Sequence, residues 1–263
     1  MKCKLTSFAK RKAAGEQIVM CTAYDAPFAE LVSGAGIDVI LVGDSVGTTL
    51  LGFESTVPVT MSDMLRHTAA VRRGAPEAFV VFDMPFMSYQ ASTAEALHNA
   101  AQALKECGAD AVKLEGGAAY ADLVKEMVRA GIPVMGHIGL MPQSVNLYGG
   151  YKVAGRGAEA EKVLADALAL QEAGVFSIVL ECVPEALAKE ITEKLTVPTI
   201  GIGSGRYCSG QVQVLHDLLG LLDFKPKHAG VYLPGRELIG KALSSYAEDV
   251  RSGKFPGEEN IFN

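Results

Sequence analysis

Six stretches of this 263-residue chain run from apolar residues into groups able to do acid–base, metal or anion chemistry. They end at Asp44-Ser45, at Asp83, at Lys113 with Glu115, at His137, at Glu181 and at Gly201-Ile-Gly-Ser-Gly205. A continuous apolar run such as Val39-Ile-Leu-Val42 marks a strand buried on both faces. A polar residue just past such a strand lies in neither core nor open solvent, where α/β proteins keep their chemistry. Four carboxylates gathered there repel one another unless something positive sits among them. Oxygen donors with a single histidine and no cysteine suit a hard cation, and Mg²⁺ held by one or two carboxylates plus substrate oxygens fits best. A zinc site would need several His or Cys.

Each residue also has a plainer reading. Asp44 could cap the next turn. Lys113 and Glu115 are two apart and so point to one face of their strand. Lys113 could neutralise a substrate carboxylate or a developing enolate, or simply pair with Glu115. His137 could be an electrophile, a hydrogen-bond donor or a structural histidine. Glu181 follows Ile178-Val-Leu180 and should be partly desolvated, which makes a carboxylate a better base. Gly201–Gly205 resembles a phosphate cradle, or its glycines serve a tight turn. His67, Arg72 and Arg73 read as a solvated or interface face of a helix, and the sequence assigns no role to His216-Asp217.

What must position these groups is a repeating unit. A helix ends in a small residue and glycine, and an apolar strand follows. This occurs at Ala35-Gly36, Cys107-Gly108, Ala130-Gly131 and Ala173-Gly174, with glycine supplying the left-handed cap. Thr60-x-x-Asp63 and Ser92-x-x-Glu95 fit capping boxes. Residues 6–14 predict a short helix with Thr6 at its N-cap and Gly15 at its end, and residues 26–32 a second. Strands are expected at 18–24, 39–43, 79–85, 111–116, 134–139, 177–182, 199–203 and 211–216. Eight strands alternating with helices predict one α/β domain, a (β/α)₈ TIM barrel over residues 1–263 with a short N-terminal helix. Polar ends spread over nearly all strands favour the barrel over a doubly wound sheet. The long connections at 47–59 and 141–157 are candidate lids.

Composition narrows the partners. Apolar residues make up 49% and charged residues 21%, enough core to exclude disorder. A net charge of −6 argues against nucleic acid or an anionic membrane as partner. Five scattered cysteines (Cys3, Cys21, Cys107, Cys182, Cys208) suit a reducing cytosol and no disulfide framework. No apolar run reaches a membrane span, and the basic N-terminus is followed by no apolar signal region, so a cytoplasmic location is expected.

Longer strings carry a resemblance. They include Leu41-Val-Gly-Asp-Ser-Val-Gly47, Ser55-Thr-Val-Pro-Val-Thr60, Asp83-Met-Pro-Phe-Met87 and Val112-Lys-Leu-Glu-Gly-Gly117. Gly136-His-Ile-Gly-Leu140, Pro142-Gln-Ser-Val-Asn146, Gly149-Gly-Tyr-Lys-Val153 and Leu180-Glu-Cys-Val-Pro184 belong with them. From about Ile18 to Phe262 the chain resembles the ketopantoate (3-methyl-2-oxobutanoate) hydroxymethyltransferase family. The resemblance implies a barrel of the phosphoenolpyruvate mutase/isocitrate lyase type, with Mg²⁺ at Asp44, Asp83 and Glu115. It implies that the keto acid contacts Asp44, Ser45, Asp83 and Lys113, with Glu181 as proton acceptor and Lys113 and His137 assisting. It further implies transfer of the one-carbon unit of 5,10-methylenetetrahydrofolate to 3-methyl-2-oxobutanoate through a Mg²⁺-stabilised enolate, in pantothenate synthesis, by a homodecamer of paired pentamers. Departures lie late, at Pro226-Lys-His-Ala-Gly230 and Asn260, and bear on packing or assembly. Two other readings compete: a Mg²⁺-dependent lyase or mutase of the same superfold, and a non-catalytic metabolite-binding barrel.

Overall fold

The computed structural model describes residues 3–150 and 153–262; Lys2, and Tyr151 and Lys152 of the Gly149–Val153 string, lie outside the described residues. The chain forms two compact units, Met1–Val214 and Leu215–Asn263. In the first, eight parallel strands close into a barrel in chain order. These are β1 (Ile18–Thr22), β2 (Val39–Val42), β3 (Phe79–Asp83), β4 (Ala111–Glu115), β5 (Val134–Gly139), β6 (Ser177–Glu181), β7 (Thr199–Ile202) and β8 (Gly210–Gln213). Each covers an expected strand, and all but β5 end earlier than expected, by one to three residues.

The alternation of side chains organises the barrel from one end to the other. Ile18, Met20, Val39, Leu41, Phe79, Val81, Ala111, Met135, Val179 and Ile200 belong to one buried cluster. Continuing the same inward set up β3, β4, β5 and β6 reaches Asp83, then Lys113 and Glu115, then His137, then Glu181. The interior therefore changes from hydrocarbon to charge toward the C-terminal ends of the strands. Helix α1 (Leu5–Ala14) packs at the other end, where the Phe8 ring lies 5.2 Å from Phe79 and 4.8 Å from Phe176. Burying that ring stabilises the fold by about 1.5–3 kcal/mol. The helix starts earlier than expected, with Lys4 and not Thr6 at the N-cap, and Ser7 Oγ accepts the Lys4 N–H.

Outside the barrel, α2 (Ala26–Gly34) follows β1, capped by Asp25, which accepts from the Phe28 N–H. The β2 connection carries a short α3 (Val46–Thr49) before α4 (Met61–Gly74). Helices α5 (Thr93–Cys107) and α6 (Ala121–Arg129) follow β3 and β4. The β5 connection holds a 3₁₀ turn at Pro142–Ser144 and α7 (Val145–Tyr148) before α8 (Glu159–Ala173), and α9 (Glu185–Lys194) follows β6. The four repeating junction glycines, Gly36, Gly108, Gly131 and Gly174, have φ of 81°, 71°, 85° and 97°, the left-handed conformation the repeat predicts. Thr60 and Asp63 close a full capping box, whereas Ser92 accepts from Glu95 without a return bond.

Two expectations need correction. Residues 203–209 join β7 to β8 with no helix. Arg72 is no solvated face: its guanidinium bonds Asp110 at 2.6 Å and the carbonyls of Gly108 and Ala78 at 2.8 Å, tying together the chain entering β3 and β4. In the second unit, α10 (Leu215–Leu218) and α11 (Gly235–Ser252) are the α-helices among the described residues. Of α11 only Gly235 is buried, and Ile239, Leu243, Tyr246 and Val250 are exposed. Among the described residues no helix is long and apolar enough to cross a membrane.

Candidate active site

Strand register decides which polar side chains meet. Asp83 is registered beside Lys113, Glu115 beside His137, and Gly139 beside Glu181. Neighbouring registered residues on one face stand close enough to bond. Lys113 Nζ accordingly pairs with Asp83 Oδ1 at 2.7 Å, so its salt bridge is to Asp83 and not to Glu115. The same ammonium stands 3.2 Å from His137 Nδ1, and His137 Nε2 stands 3.2 Å from Glu181 Oε2, off the line of a strong hydrogen bond. With Lys113 donating to Nδ1, the network puts the imidazole proton on Nε2, facing Glu181. His137 thus bridges a cation and a carboxylate, and its surroundings hold it neutral. Burial and then the Lys113 charge depress its proton affinity, against the pull of Glu181.

Lys113 stays charged. Burial alone would favour the neutral amine, but Asp83, Glu115 and Asp44 together outweigh it and hold the pKa above the ordinary lysine value. The carboxyls respond the opposite way. Burial, then the charge of Asp83, pushes Asp44 up to about 7 despite Lys113 and a hydrogen bond from Gln143. Glu115 is likewise raised, by burial and then by Asp44. Glu181 is more open, its side chain 18% exposed. The Gly139 backbone is what allows that end of β6 to close in. Its φ is +101°, and a Cβ there would lie 2.2 Å from the Glu181 carbonyl oxygen. Cys182, directly after Glu181, holds a left-handed φ of 50°, local strain at the mouth of the barrel.

Three residues outside the expected set complete the site. Gln143, buried on the 3₁₀ turn after β5, donates from Nε2 to Asp44 Oδ2 at 2.9 Å and from its backbone N–H to Glu115 Oε2 at 3.1 Å. Tyr89 donates to the Glu115 carbonyl oxygen at 2.9 Å, and burial with the Glu115 charge keeps its phenol protonated. Tyr24, its pKa pushed up to about 12 by burial, shares a 2.8 Å hydrogen bond with Ser45 Oγ. Gln143 lay within the Pro142–Asn146 string, but a glutamine in a loop carries no chemical signal of its own. Asp44 does not cap the next turn with its side chain, since Gln143 takes one carboxylate oxygen.

The glycine loop is not a phosphate cradle in this conformation. Ser204 Oγ donates to the Leu180 carbonyl at 2.7 Å and accepts from Val183 N–H at 3.0 Å. The Arg206 N–H is taken by Glu185, a carboxylate that would repel phosphate. All five cysteines are free, and burial raises every thiol pKa, Cys21 to about 12 and Cys182 to about 11, so none is an activated nucleophile.

A family model for ketopantoate hydroxymethyltransferase matches residues 2–258. The chain belongs to that family. Relatives named 3-methyl-2-oxobutanoate hydroxymethyltransferase include one from Pseudothermotoga lettingae, 57% identical, covering 93% of each chain. Another, from Thermus thermophilus, is 55% identical over 96% of this chain and 97% of its own. The ketopantoate hydroxymethyltransferase family is one of transferases, and this chain is an enzyme of that class. The barrel is shared with a phosphonopyruvate hydrolase solved with oxalate and Mg²⁺ (TM-score 0.66, 12% identity, 99% of this chain and 92% of that one). It is shared also with 2,3-dimethylmalate lyase, of the phosphoenolpyruvate mutase/isocitrate lyase superfamily (TM-score 0.61, 15% identity, 100% and 91%). The fold is the barrel type expected.

The donor set fits a hard cation. Asp44, Asp83 and Glu115 offer oxygen only, and Glu115 Oε1 is buried with no hydrogen bond. Among the described residues no three acid, imidazole or thiol groups are spaced to grip one ion. The three carboxylates expected to hold Mg²⁺ are thus not gathered as one ligand set in this structure, although one or two of them could hold it together with substrate and water. A pH dependence follows. A carboxyl whose folded pKa is raised stabilises the fold fully below its unfolded value and loses that contribution as pH rises through the folded value. Chelated wild type should therefore lose melting temperature between about pH 4 and about pH 7, as Asp44 is already ionised in the unfolded chain but ionises in the fold only near 7. His137, with its depressed pKa, works in the opposite sense just below its ordinary value of 6.5. In Asp44→Asn the loss should shrink, because the carboxyl is gone while His137 remains. Thermal unfolding of both proteins in chelator is the check, and an unchanged loss in the variant counts against Asp44 as its source.

Proposed function

We propose that this chain transfers a hydroxymethyl group from 5,10-methylenetetrahydrofolate to 3-methyl-2-oxobutanoate, giving 2-dehydropantoate for pantothenate synthesis. The observation that carries the reading is the contact line Asp83–Lys113–His137–Glu181, which joins a buried cation to a more open carboxylate. Bound at Asp44 and Asp83, with Glu115 beside them, Mg²⁺ would polarise the keto carbonyl as a Lewis acid and acidify the C3 hydrogen. The Lys113 ammonium faces the substrate's anionic side, and Ser45 Oγ, held by Tyr24, offers a hydrogen bond to it. Glu181 takes the C3 proton on a carboxylate oxygen. His137, protonated on Nε2, orients that carboxylate and passes the Lys113 charge toward it. Water adds to the folate's one-carbon unit and both of its C–N bonds break, the two water protons going to the nitrogens of the departing tetrahydrofolate and the oxygen staying as formaldehyde. The enolate carbon attacks that carbonyl carbon, and the proton taken from C3 returns to the new hydroxyl. Holding both reactants in one mouth supplies part of the rate. Family membership supports a cytoplasmic homodecamer as the working form.

Loss of deuterium from C3-labelled 3-methyl-2-oxobutanoate tests the reading. Exchange should need Mg²⁺ and proceed without folate, whereas product should need both. A protein that binds the keto acid yet exchanges no deuterium is not this enzyme. Asp44→Asn and Asp83→Asn should fold and should lose affinity for Mg²⁺ and keto acid together, because the substrate completes the cation's shell. Calorimetric titration with keto acid at constant Mg²⁺ checks this, and unchanged affinity in both variants would move the cation elsewhere.

A further inference from the structure

Gln143 is the best-connected polar side chain at the mouth, and nothing in the proposed chemistry uses it. It is buried, and both halves of its amide are engaged. Nε2 donates to Asp44 Oδ2 and to the Met84 carbonyl, each at 2.9 Å. Oε1 accepts from Gln90 Nε2 at 3.4 Å and lies 3.1 Å from Tyr89 Oη, whose one proton it shares with the Glu115 carbonyl oxygen. Its backbone N–H donates to Glu115 Oε2 at 3.1 Å. One residue of the β5 connection therefore occupies one oxygen on each of two carboxylates that come from different strands. On Glu115 this leaves Oε1, buried, with no hydrogen bond and 3.6 Å from His137 Nδ1, as the oxygen a ligand could take.

A carboxylate in a cavity can rotate about its last torsion, which is soft. Unless something holds it, a buried acid turns toward whatever cation lies nearest, here Lys113. Hydrogen bonds from groups that do not themselves touch a metal commonly fix such ligands. We infer that Gln143 is a positioning residue that turns the free oxygens of Asp44 and Glu115 toward a hard divalent cation. The inference rests on the reading above that these carboxylates serve such a cation. A glutamine suits the task, since its neutral amide donates to one acid without adding charge and accepts from Gln90 with its other end.

Gln143→Met keeps the side chain's size and the backbone N–H to Glu115 while removing the amide; Gln143→Ala removes the bulk as well. Both full-length variants are titrated with MgCl₂ alone by calorimetry, and C3 exchange is then followed against Mg²⁺ concentration. Loss of such a supporting bond costs about 10–100-fold in metal affinity, and we expect the Mg²⁺ Kd to rise by that factor. The Mg²⁺ needed for half-maximal exchange should rise in parallel, with the rate at saturating Mg²⁺ recovering to within a few-fold. A residue that only packs would lower the melting temperature and leave the Kd alone. A Kd unchanged in both variants overturns the inference, as does a wild type that binds no Mg²⁺. Wild type that binds Mg²⁺ but exchanges no deuterium instead sinks the proposed reaction, and the titrations still judge Gln143.

Discussion

Glu181→Gln should lower C3 deuterium exchange and hydroxymethyl transfer together, by about 10²–10⁴, the usual worth of a positioned general base. The amide is isosteric and lies outside the proposed cation ligands, so binding of Mg²⁺ and keto acid should stay close to wild type. Both readouts fall equally because both need the enolate. Single-turnover transfer and isotope exchange on one preparation give the comparison. His137 is a poor substitute base: Lys113 occupies its Nδ1, and burial with the Lys113 charge disfavours its taking a proton. Normal exchange with failed transfer would instead give Glu181 a role toward the folate and leave the proton to another acceptor.

Lys113→Met should cost more than activity. The Lys113–Asp83 pair is almost wholly buried, its side chains 4% and 3% exposed. Removing the ammonium leaves the buried Asp83, Asp44 and Glu115 without their nearest counter-charge, and breaking a buried pair costs about 3–5 kcal/mol. Denaturant unfolding in chelator should show that loss, and Mg²⁺ should restore part of it by supplying positive charge to the same acids. The keto acid's apparent KM should rise along with the fall in rate, since the proposed reaction sets the ammonium against the substrate's anionic side. A variant as stable as wild type in chelator, with unchanged KM, would remove Lys113 from both roles.

Much of the architecture was legible because its signals are local. A strand buried on both faces must be apolar throughout, so Val39–Val42, Phe79–Phe82 and Ile178–Leu180 announce themselves. Left-handed caps need glycine, so Gly36, Gly108, Gly131 and Gly174 mark where helices hand over to strands. Carboxylates directly after such strands can only collect at the barrel mouth. That reasoning reached Asp44, Asp83, Lys113, Glu115, His137 and Glu181 with no contact information. The missing helix between β7 and β8 was less legible, since a seven-strand pattern sets up the expectation of an eighth repeat that residues 203–209 do not supply.

By itself, then, the order of residue types determined that this protein is a barrel with an acidic mouth that includes Lys113. Partner choice inside that mouth was decided only in three dimensions. Lys113 and Glu115 share a face, yet Lys113 pairs with Asp83, because closing the barrel registers β3 against β4. Gly201–Gly205 resembled a phosphate cradle in sequence, yet in the fold Ser204 Oγ is taken by the Leu180 carbonyl and the Val183 N–H. Gln143, Tyr89 and Tyr24 carry no charge, so no pattern of charge could reveal them. Their place follows from loops and strands far apart in the chain being folded over one another, which brings neutral donors to carboxylates that water can no longer reach.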